Sequence, residues 1–291
     1  MLYLQLLVDG VVTGCAIGVV SMSFSYFYAT TGIFHVAHAG IYTLSGYLGW
    51  WLVAQGAPFA VALPLAVVAA AGFGYLTQRL LYQTLEDSGA TPLVMMIASI
   101  GLLTVLQNAV AIVFSPNIVQ FDLPWRLAHA TLGPVTLSYP QVILGVLSVA
   151  IFAGLLVFSR RTAAGKRIRA VASNRELAEI TRLGPKRVFA QVLAITSGIV
   201  AVPGVLVGVD QALQPYTSLV VLLTAVVAMI AGGIGSLAGA FGMSIVLAVV
   251  QSMSVAFMPG RWSVAAVFAI FILFILLKPQ GLFRSRFSRA I

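Results

Sequence analysis

The sequence predicts an all-α membrane protein with about eight to ten transmembrane helices, some of them broken or re-entrant. Of its 291 residues, 60% are hydrophobic and 8% are charged, whereas soluble domains average about 45–50% apolar and about 25% charged residues. The mean hydropathy of +1.05 indicates a protein whose surface mostly faces lipid. Long stretches also lack charge altogether, including the 69 residues between Asp9 and Arg79. These observations exclude a water-soluble domain and a disordered chain.

The charge-free stretches predict nine helical segments, because a transmembrane helix needs about 20 apolar residues. A charge at mid-bilayer costs about 2.5–3.5 kcal/mol, so charges are expected between the segments. Three segments are expected between Asp9 and Arg79, with breaks at 30–32 and 55–58. The other six are expected at about 92–114, 140–159 and 188–209, at two places within 211–260 on either side of 232–236, and at 262–277. We expect a single transmembrane domain over residues 1–291.

Lysine and arginine are distributed unevenly among the connections between these segments. With nine spans, 14 of the 16 Lys and Arg residues lie on one side: Arg79, nine within 160–187 and four within 278–291. The positive-inside rule makes that side cytoplasmic, so the loop 160–187 and the C-terminal tail 278–291 are expected in the cytoplasm. The loop contains no interleaved aromatic residues. We therefore expect it to face water and membrane lipid rather than nucleic acid.

The longest connection on the opposite side is 115–139, which three prolines interrupt. Its segment 131–137 is typical of a small hairpin or an extended turn. Two roles fit this connection equally well: a structural cap over the helix ends, and a docking surface for an external partner.

The cytoplasmic loop predicts a short helix outside the membrane, at about 174–183. Ser173 with Glu176 three residues later is a capping-box pattern, and Gly-Pro at 184–185 is a stop signal. The apolar stripe of this helix comprises Leu177, Ile180 and Leu183. Such a helix rests on lipid or docks into a groove of a soluble partner. Because Glu176 and Glu179 are repelled by anionic lipid, docking to a protein is favoured.

Few residues in the spans carry recognisable chemistry. Essentially no ionisable side chain lies within them, so a proton relay is poorly supported. Asp210 is interpreted as an interfacial loop residue, and the single cysteine, Cys15, excludes a disulfide framework. His35 and His38 have the spacing of metal ligands, but no Cys, Asp or Glu nearby completes a site, so no metal is expected. No catalytic motif is found, and the chain is not expected to be an enzyme.

Uncharged polar residues in the segments are candidates for a substrate path, with hydrogen bonding between helices as the alternative. Thr104 and Asn108, on the fourth segment, are four residues apart and therefore share one helix face. The candidate path residues are His38, Tyr42, Thr104, Asn108 and Gln251. Small residues that allow close helix packing cluster around one G-x-x-x-G pair and comprise Gly232, Gly233, Gly235 and Gly239.

Four stretches carry a recognisable pattern. They read F-H-V-A-H-A-G at 34–40, R-T-A-A-G-K-R-I-R-A at 161–170, A-G-G-I-G-S-L-A-G-A at 231–240 and K-P-Q-G-L-F at 278–283. In order and spacing they resemble the LivH-type permeases of branched-chain amino acid ABC importers, and together they cover nearly the whole chain. Two positions differ from that family: His35 stands roughly where it has Asn, and Gln251 stands where relatives often carry Glu.

The resemblance implies a permease subunit in the inner membrane of a bacterium that takes up branched-chain amino acids or similar small organic solutes. It implies three partners: ATPase subunits that bind the ATP, a second permease subunit (LivM-like, or a second copy) and an extracytoplasmic solute-binding protein. The chain itself then needs no cofactor. The resemblance implies that the short cytoplasmic helix couples the permease to the ATPase. The coupling residues are then Glu176, Leu177, Ala178, Glu179, Ile180, Leu183 and Gly184.

Other functions remain open at this stage. The wider family also serves urea, short amides and aromatic acids. An ion-coupled secondary transporter is the first rival, and an intramembrane enzyme or a scaffold is the second.

Overall fold

The computed structural model describes residues 2–181, 183–277 and 281–282. Its main elements are helices with mostly short connections. They are α1 (Leu2–Thr31), α2 (His38–Ala54), α3 (Phe59–Thr77), α4 (Gln83–Asp87), α5 (Pro92–Phe114), α6 (Tyr139–Arg161), α7 (Ala163–Ser173), α8 (Arg175–Ile180), α9 (Pro185–Asp210), α10 (Ser218–Gly232), α11 (Leu237–Ser254) and α12 (Ser263–Leu277). A π-helical turn, Gln78–Tyr82, joins α3 to α4, and a 3-10 turn, Gly260–Trp262, precedes α12.

The nine apolar segments expected from the sequence are all helical. The break expected at 55–58 separates α2 from α3, and the break expected at 30–32 falls at the end of α1. Within the described part of the chain, six helices are long and apolar enough to cross a membrane: Leu2–Thr31, Phe59–Asp87, Pro92–Phe114, Tyr139–Arg161, Pro185–Asp210 and Leu237–Ser254. The three others, α2, α10 and α12, have 17, 15 and 15 residues. The all-α polytopic architecture is confirmed, while the number of crossings stays a prediction.

The centre of the protein is built on α1 and α9, most of whose residues are buried, whereas only 22% of the apolar windows of α3, α5 and α6 is buried. Glycines bring α1 and α11 into backbone contact. A Cβ atom placed on Gly10 or Gly14 would lie 2.7 Å from the Cα of Val249 or 2.5 Å from the Cα of Ile245. Because these approaches leave no room for a side chain, small residues here determine how the two helices pack.

The helix ends group into two faces. On the first, which we call the hairpin face, residues 115–138 lie over the start of α1, where the Gln5 side chain donates a hydrogen bond to the Thr136 carbonyl at 2.9 Å. On the second, the α8 face, Arg175 pairs with Glu86 at the end of α4. Exposed basic residues of α6 and α7 lie on the α8 face and comprise Arg160, Arg161, Lys166 and Arg167.

The connection on the hairpin face contains the two strands β1 (His129–Leu132) and β2 (Val135–Ser138), which pair antiparallel. The prediction of a small hairpin at 131–137 is thus confirmed, and the two strands together span 129–138, slightly more than predicted. Ser138 also begins α6 through a capping box, in which its hydroxyl accepts from the Gln141 N–H at 3.2 Å and Gln141 Oε1 accepts from the Ser138 N–H at 3.1 Å.

The loop on the α8 face differs from the prediction in two ways. Residues 163–173 form a helix, α7, that was not expected; it begins at Thr162, whose hydroxyl accepts from the Gly165 N–H at 3.0 Å. The predicted helix at 174–183 is shorter, and its cap is Asn174, whose side-chain oxygen accepts from the Leu177 N–H at 3.0 Å. The capping-box assignment to Ser173 was wrong, because that residue ends α7 and is not free to cap α8.

Candidate functional site

The short helix α8 presents a small mixed surface to solvent. Leu177 and Ile180 are 57% and 79% exposed, and the two acidic residues beside them, Glu176 and Glu179, are exposed as well. Ala178 is buried and anchors the helix to the rest of the protein. Exposed leucine and isoleucine side chains gain about 1.5–3 kcal/mol each when fully buried, so this surface is suited to a protein partner.

Two of the predicted coupling residues have a different environment. Leu183 packs against the hydrophobic core, so the predicted stripe of three apolar residues is divided and only Leu177 and Ile180 face outward. Gly184 adopts φ 62° and precedes the first residue of α9, a left-handed conformation that favours glycine. These two residues therefore hold the connection from α8 to α9 rather than extend its exposed surface.

Arg175 ties α8 to its neighbours. Its guanidinium pairs with Glu86 of α4, donates from Nε to Glu179 at 3.2 Å and lies 5.2 Å from the centre of the Phe189 ring of α9. Partial burial lowers the pKa of Arg175, but the hydrogen bonds and charges of Glu86 and Glu179 outweigh it, so the pKa is raised overall. Lys186 and Asp87 form a second ion pair nearby. These contacts connect α8 to both α4 and α9.

A cavity of about 260 Å³ lies among α1, α2, α6, α9, α10 and α11, towards the hairpin face. Two candidate path residues, Tyr42 and Gln251, line it. Asp210, the last residue of α9, also lines it, together with apolar residues that include Val12, Ile17, Leu144, Val207 and Val221. Half of the lining residues are polar, so the cavity combines apolar side chains with several hydrogen-bonding groups, as a site for a small amphipathic molecule requires.

A second cavity of about 370 Å³ adjoins the first on the hairpin face. Gln141 and Asp210 line both of them, so the second forms a mouth to the first. This mouth holds the charged side chains of Asp9 and Arg126. Arg126 donates hydrogen bonds to the carbonyl of Val209 at 2.8 Å, the carbonyl of Gln211 at 3.1 Å and the side chain of Gln120 at 3.1 Å.

The other candidate path residues lie elsewhere. His38 is buried, with its Nε2 2.9 Å from the hydroxyl of Ser23, and its neighbour His35 has Nδ1 2.6 Å from the Tyr82 hydroxyl. Thr104 and Asn108 share the exposed face of α5, as their spacing predicted, and Tyr216 donates to the Asn108 side chain at 3.4 Å. The structure brings Tyr42 and Gln251 together in one cavity and separates the remaining three residues from it.

The candidate packing glycines lie at the turn between α10 and α11. A Cβ atom on Gly232 would collide with the backbone of Gly239, and the reverse substitution would collide with Gly232. Gly233 and Gly235 adopt φ values of 101° and 82°, and the Gly235 N–H donates to the Ser25 hydroxyl of α1 at 3.0 Å. The four glycines thus form a tight turn packed on α1.

Sequence reasoning missed Asp210 as a cavity residue. A usable signal was present, since Asp210 is the sole acidic residue after Glu179. Its position next to a helix end made it resemble an ordinary interfacial residue, and the side chains opposite it come from helices distant in sequence.

Apolar helices long enough to cross a membrane, packed around a solute-sized cavity that opens at one face, are the architecture expected of a membrane transport subunit of the permease class. Residues 6–276 match the family described as "branched-chain amino acid transport system / permease component". The chain therefore belongs to this family of branched-chain amino acid permeases.

Individual relatives agree over nearly the full length. The high-affinity branched-chain amino acid permease LivH of Escherichia coli (strain K12) is 25% identical over 300 residues, covering 96% of this chain and 95% of the relative. BraD of Pseudomonas aeruginosa is also 25% identical, with the same coverage. Among solved structures, PsaBC from Streptococcus pneumoniae in complex with Fab is 15% identical with a TM-score of 0.52, covering 96% of this chain and 93% of that chain. That likeness concerns the fold.

Proposed function

We propose that this chain is the membrane subunit of an ABC importer for branched-chain amino acids or similar small organic solutes. ATP is bound and hydrolysed by separate ATPase subunits, and this chain needs no cofactor of its own. Membership of the permease family and the names of the relatives support the cargo. The absence of ionisable residues from most of each span also favours an external energy source over an ion-coupled mechanism.

The observation that carries the proposal is the exposed surface of α8. Leu177 and Ile180 stand out from the protein between Glu176 and Glu179. Two acidic residues beside two apolar ones suit a complementary protein groove better than an anionic lipid surface. We assign this groove to the ATPase, and we place the α8 face in the cytoplasm because most of the lysine and arginine residues belong to it.

Arg175 supplies the link from the ATPase to the cavity. Its partner Glu86 lies in the last turn of the continuous helical stretch Phe59–Asp87, and its contact with Phe189 joins α8 to the start of α9. The far end of α9 is Asp210, which lines the cavity. A rigid-body movement of α9 driven at α8 therefore reaches the solute site.

The exposed polar face of α5 is assigned to a second permease subunit, either a LivM-like partner or another copy of this chain. Thr104 and Asn108 face outward from a helix that the sequence places in the bilayer. Such side chains are unfavourable towards lipid and favourable towards another polytopic subunit or a water-filled path. The extracytoplasmic solute-binding protein is assigned to the hairpin face, where the mouth of the cavity opens.

Substitution of the exposed residues of α8 tests the proposal. In cells that produce the complete importer, Leu177→Asp and Ile180→Asp are expected to reduce uptake of radiolabelled leucine at least about tenfold, because each places a charge in the ATPase contact. Both variants should insert normally, and ATPase subunits should no longer co-purify with them. Leu127→Asp, on the hairpin face at a site 74% exposed, is the matched control and should retain the ATPase.

Two outcomes would contradict the proposal. Normal uptake together with normal ATPase co-purification in both variants would remove the docking assignment. Uptake that persists after deletion of the ATPase genes and collapses on addition of a protonophore would instead establish the ion-coupled alternative. Competition by urea, short amides or aromatic acids in the same assay identifies the cargo.

A further inference from the structure

Asp210 lies where a carboxylate is unfavourable unless a cation is near it. It is the last residue of α9, and the carbonyl groups at the end of a helix carry a partial negative charge that repels an anion. It is half-buried, and the one side-chain hydrogen bond it receives comes from the Ser138 hydroxyl, at 2.6 Å to Oδ1. The ion pairs among the described residues do not include it. A carboxylate can accept about four hydrogen bonds, so Asp210 has capacity for a bound donor.

The opposite charge lies at the same mouth and is not paired with Asp210. Arg126 lines the mouth together with Asp210, and the three hydrogen bonds it donates go to Val209, Gln211 and Gln120. A guanidinium has five N–H donors, so two remain. The mouth therefore holds Asp210 without an ion-pair partner, a second carboxylate, Asp9, that accepts hydrogen bonds from Gln5, and a cation with unused donors.

The adjoining cavity adds apolar side chains to these charges. Its apolar lining includes Val12, Ile17, Leu144, Val207 and Val221, and polar residues such as Thr13, Tyr42 and Gln251 lie among them. A ligand that matches both cavities has a cationic group, an anionic group and a short apolar chain. An α-amino acid with an aliphatic side chain has that form, whereas urea and short amides carry neither charge.

We propose that this cavity is an amino acid binding site within the permease itself, in which Asp210 receives the α-ammonium group of the substrate. The α-carboxylate faces Arg126, and the aliphatic side chain enters the apolar part of the cavity. The inference rests on the proposed function and adds a selection step for zwitterions after the substrate has left the binding protein. Selection follows because a neutral analogue gains nothing from the unpaired carboxylate.

A cysteine placed in the cavity tests the charge of the site without requiring transport. Thr13 lines the cavity and is exposed, whereas the native Cys15 is buried. In membranes containing the complete importer, Thr13→Cys is expected to react faster with 2-aminoethyl methanethiosulfonate, a cation, than with the anionic 2-sulfonatoethyl reagent. Asp210→Asn should lower this ratio of rates about tenfold, because it removes the local negative charge. Asp122→Asn is the control, since Asp122 is exposed and lines neither cavity.

Protection by ligands then tests recognition. L-leucine should slow the reaction of Thr13→Cys at least about fivefold, and 4-methylpentanoate, which lacks the ammonium group, should not. Addition of Asp210→Asn should abolish protection by leucine, while insertion and ATPase co-purification remain normal. Equal protection with and without the Asp210 carboxylate, equal protection by 4-methylpentanoate, or no protection by leucine would each overturn the inference.

Leucine uptake in the same cells separates this inference from the proposed function. If the parent importer takes up leucine but protection does not depend on Asp210, the function stands and the site assignment fails. If the parent takes up no amino acid and the reagents show no charge preference, both fail.

Discussion

Gly14 determines the distance between α1 and α11. The nearest backbone atom of α11 would lie 2.5 Å from a Cβ on this residue, and α1 is one of the two most buried of the six long apolar helices in the described residues. Gly72 of α3 is also helical, but a Cβ there would meet no atom within 4 Å. The two glycines look alike in the sequence and differ only in what packs against them.

Gly14→Ala is therefore expected to destabilise the protein, whereas Gly72→Ala should not. Overpacking against a backbone costs about 1–3 kcal/mol, so the first variant should show a lower midpoint of thermal unfolding in detergent. The second should be neutral or slightly more stable, because alanine favours helix by up to about 1 kcal/mol over glycine. Equal midpoints for the two variants would contradict the packing of α1 on α11.

Single residues of the site were predictable only in part. Polarity within an apolar segment singled out Tyr42 and Gln251, and the structure places both in the cavity. The same criterion also selected Thr104 and Asn108, which face away from it. Lipid and the protein interior have similar polarity. The hydrophobic periodicity of a transmembrane helix therefore cannot distinguish the face that packs against other helices from the face that contacts lipid.

At the scale of elements, α8 depends on an ion pair that its own sequence does not reveal. Arg175 and Glu86 are 89 residues apart, and the side chains are 40% and 14% exposed. The pair joins α8 to the end of the long helical stretch that begins at Phe59. By contrast, Lys186 and Asp87 are each about half exposed, and exposed pairs contribute little.

Glu86→Gln is expected to weaken the coupling between ATP hydrolysis and transport. Uptake of leucine per ATP hydrolysed should fall about five- to tenfold, because movement of α8 is no longer transmitted to α4. Lys186→Gln, which breaks the exposed pair, is the control and should change this ratio by less than about twofold. The measurement is the simultaneous assay of uptake and phosphate release in proteoliposomes containing the importer.

The charge-swapped double variant, Arg175→Glu with Glu86→Arg, adds a second test. Partial recovery of coupling relative to Glu86→Gln supports the ion pair as the connection. An unchanged ratio in the single variant would show that α8 acts through Phe189 and α9 alone.

At the scale of the molecule, the two faces differ in charge and in the polarity of their connections. The hairpin face carries Arg126 and a proline-interrupted connection, whereas the α8 face carries the exposed basic residues of α6 and α7. The start of α1 contacts the hairpin through Gln5. Leu282 instead donates a backbone hydrogen bond of 3.0 Å to the Ala231 carbonyl at the end of α10. Because the two faces differ in this way, labelling one residue on each face tests which side of the membrane each face occupies.

Cysteine labelling in intact cells is expected to place the two faces in different compartments. Leu127→Cys, on the hairpin face, should react with a membrane-impermeant maleimide in cells whose outer membrane is permeabilised. Ile180→Cys, on the α8 face, should react only after the inner membrane is also permeabilised. The native Cys15 is buried and gives a low background. Labelling of both positions before inner-membrane permeabilisation would contradict the proposed orientation.

The sequence by itself determined the class of protein and its nine apolar segments, because hydropathy and charge spacing depend only on neighbouring residues. It also indicated the family, through the order and spacing of four short motifs. It located α8 to within a few residues but misplaced its cap, because Ser173 and Asn174 are both good capping residues and only the end of α7 decides between them. The tertiary structure alone decided which polar residues share a cavity, that Asp210 lies between Ser138 and the solute site, and that Arg175 meets Glu86. These contacts join residues far apart in the chain, and packing of whole helices, rather than local preference, brings them together.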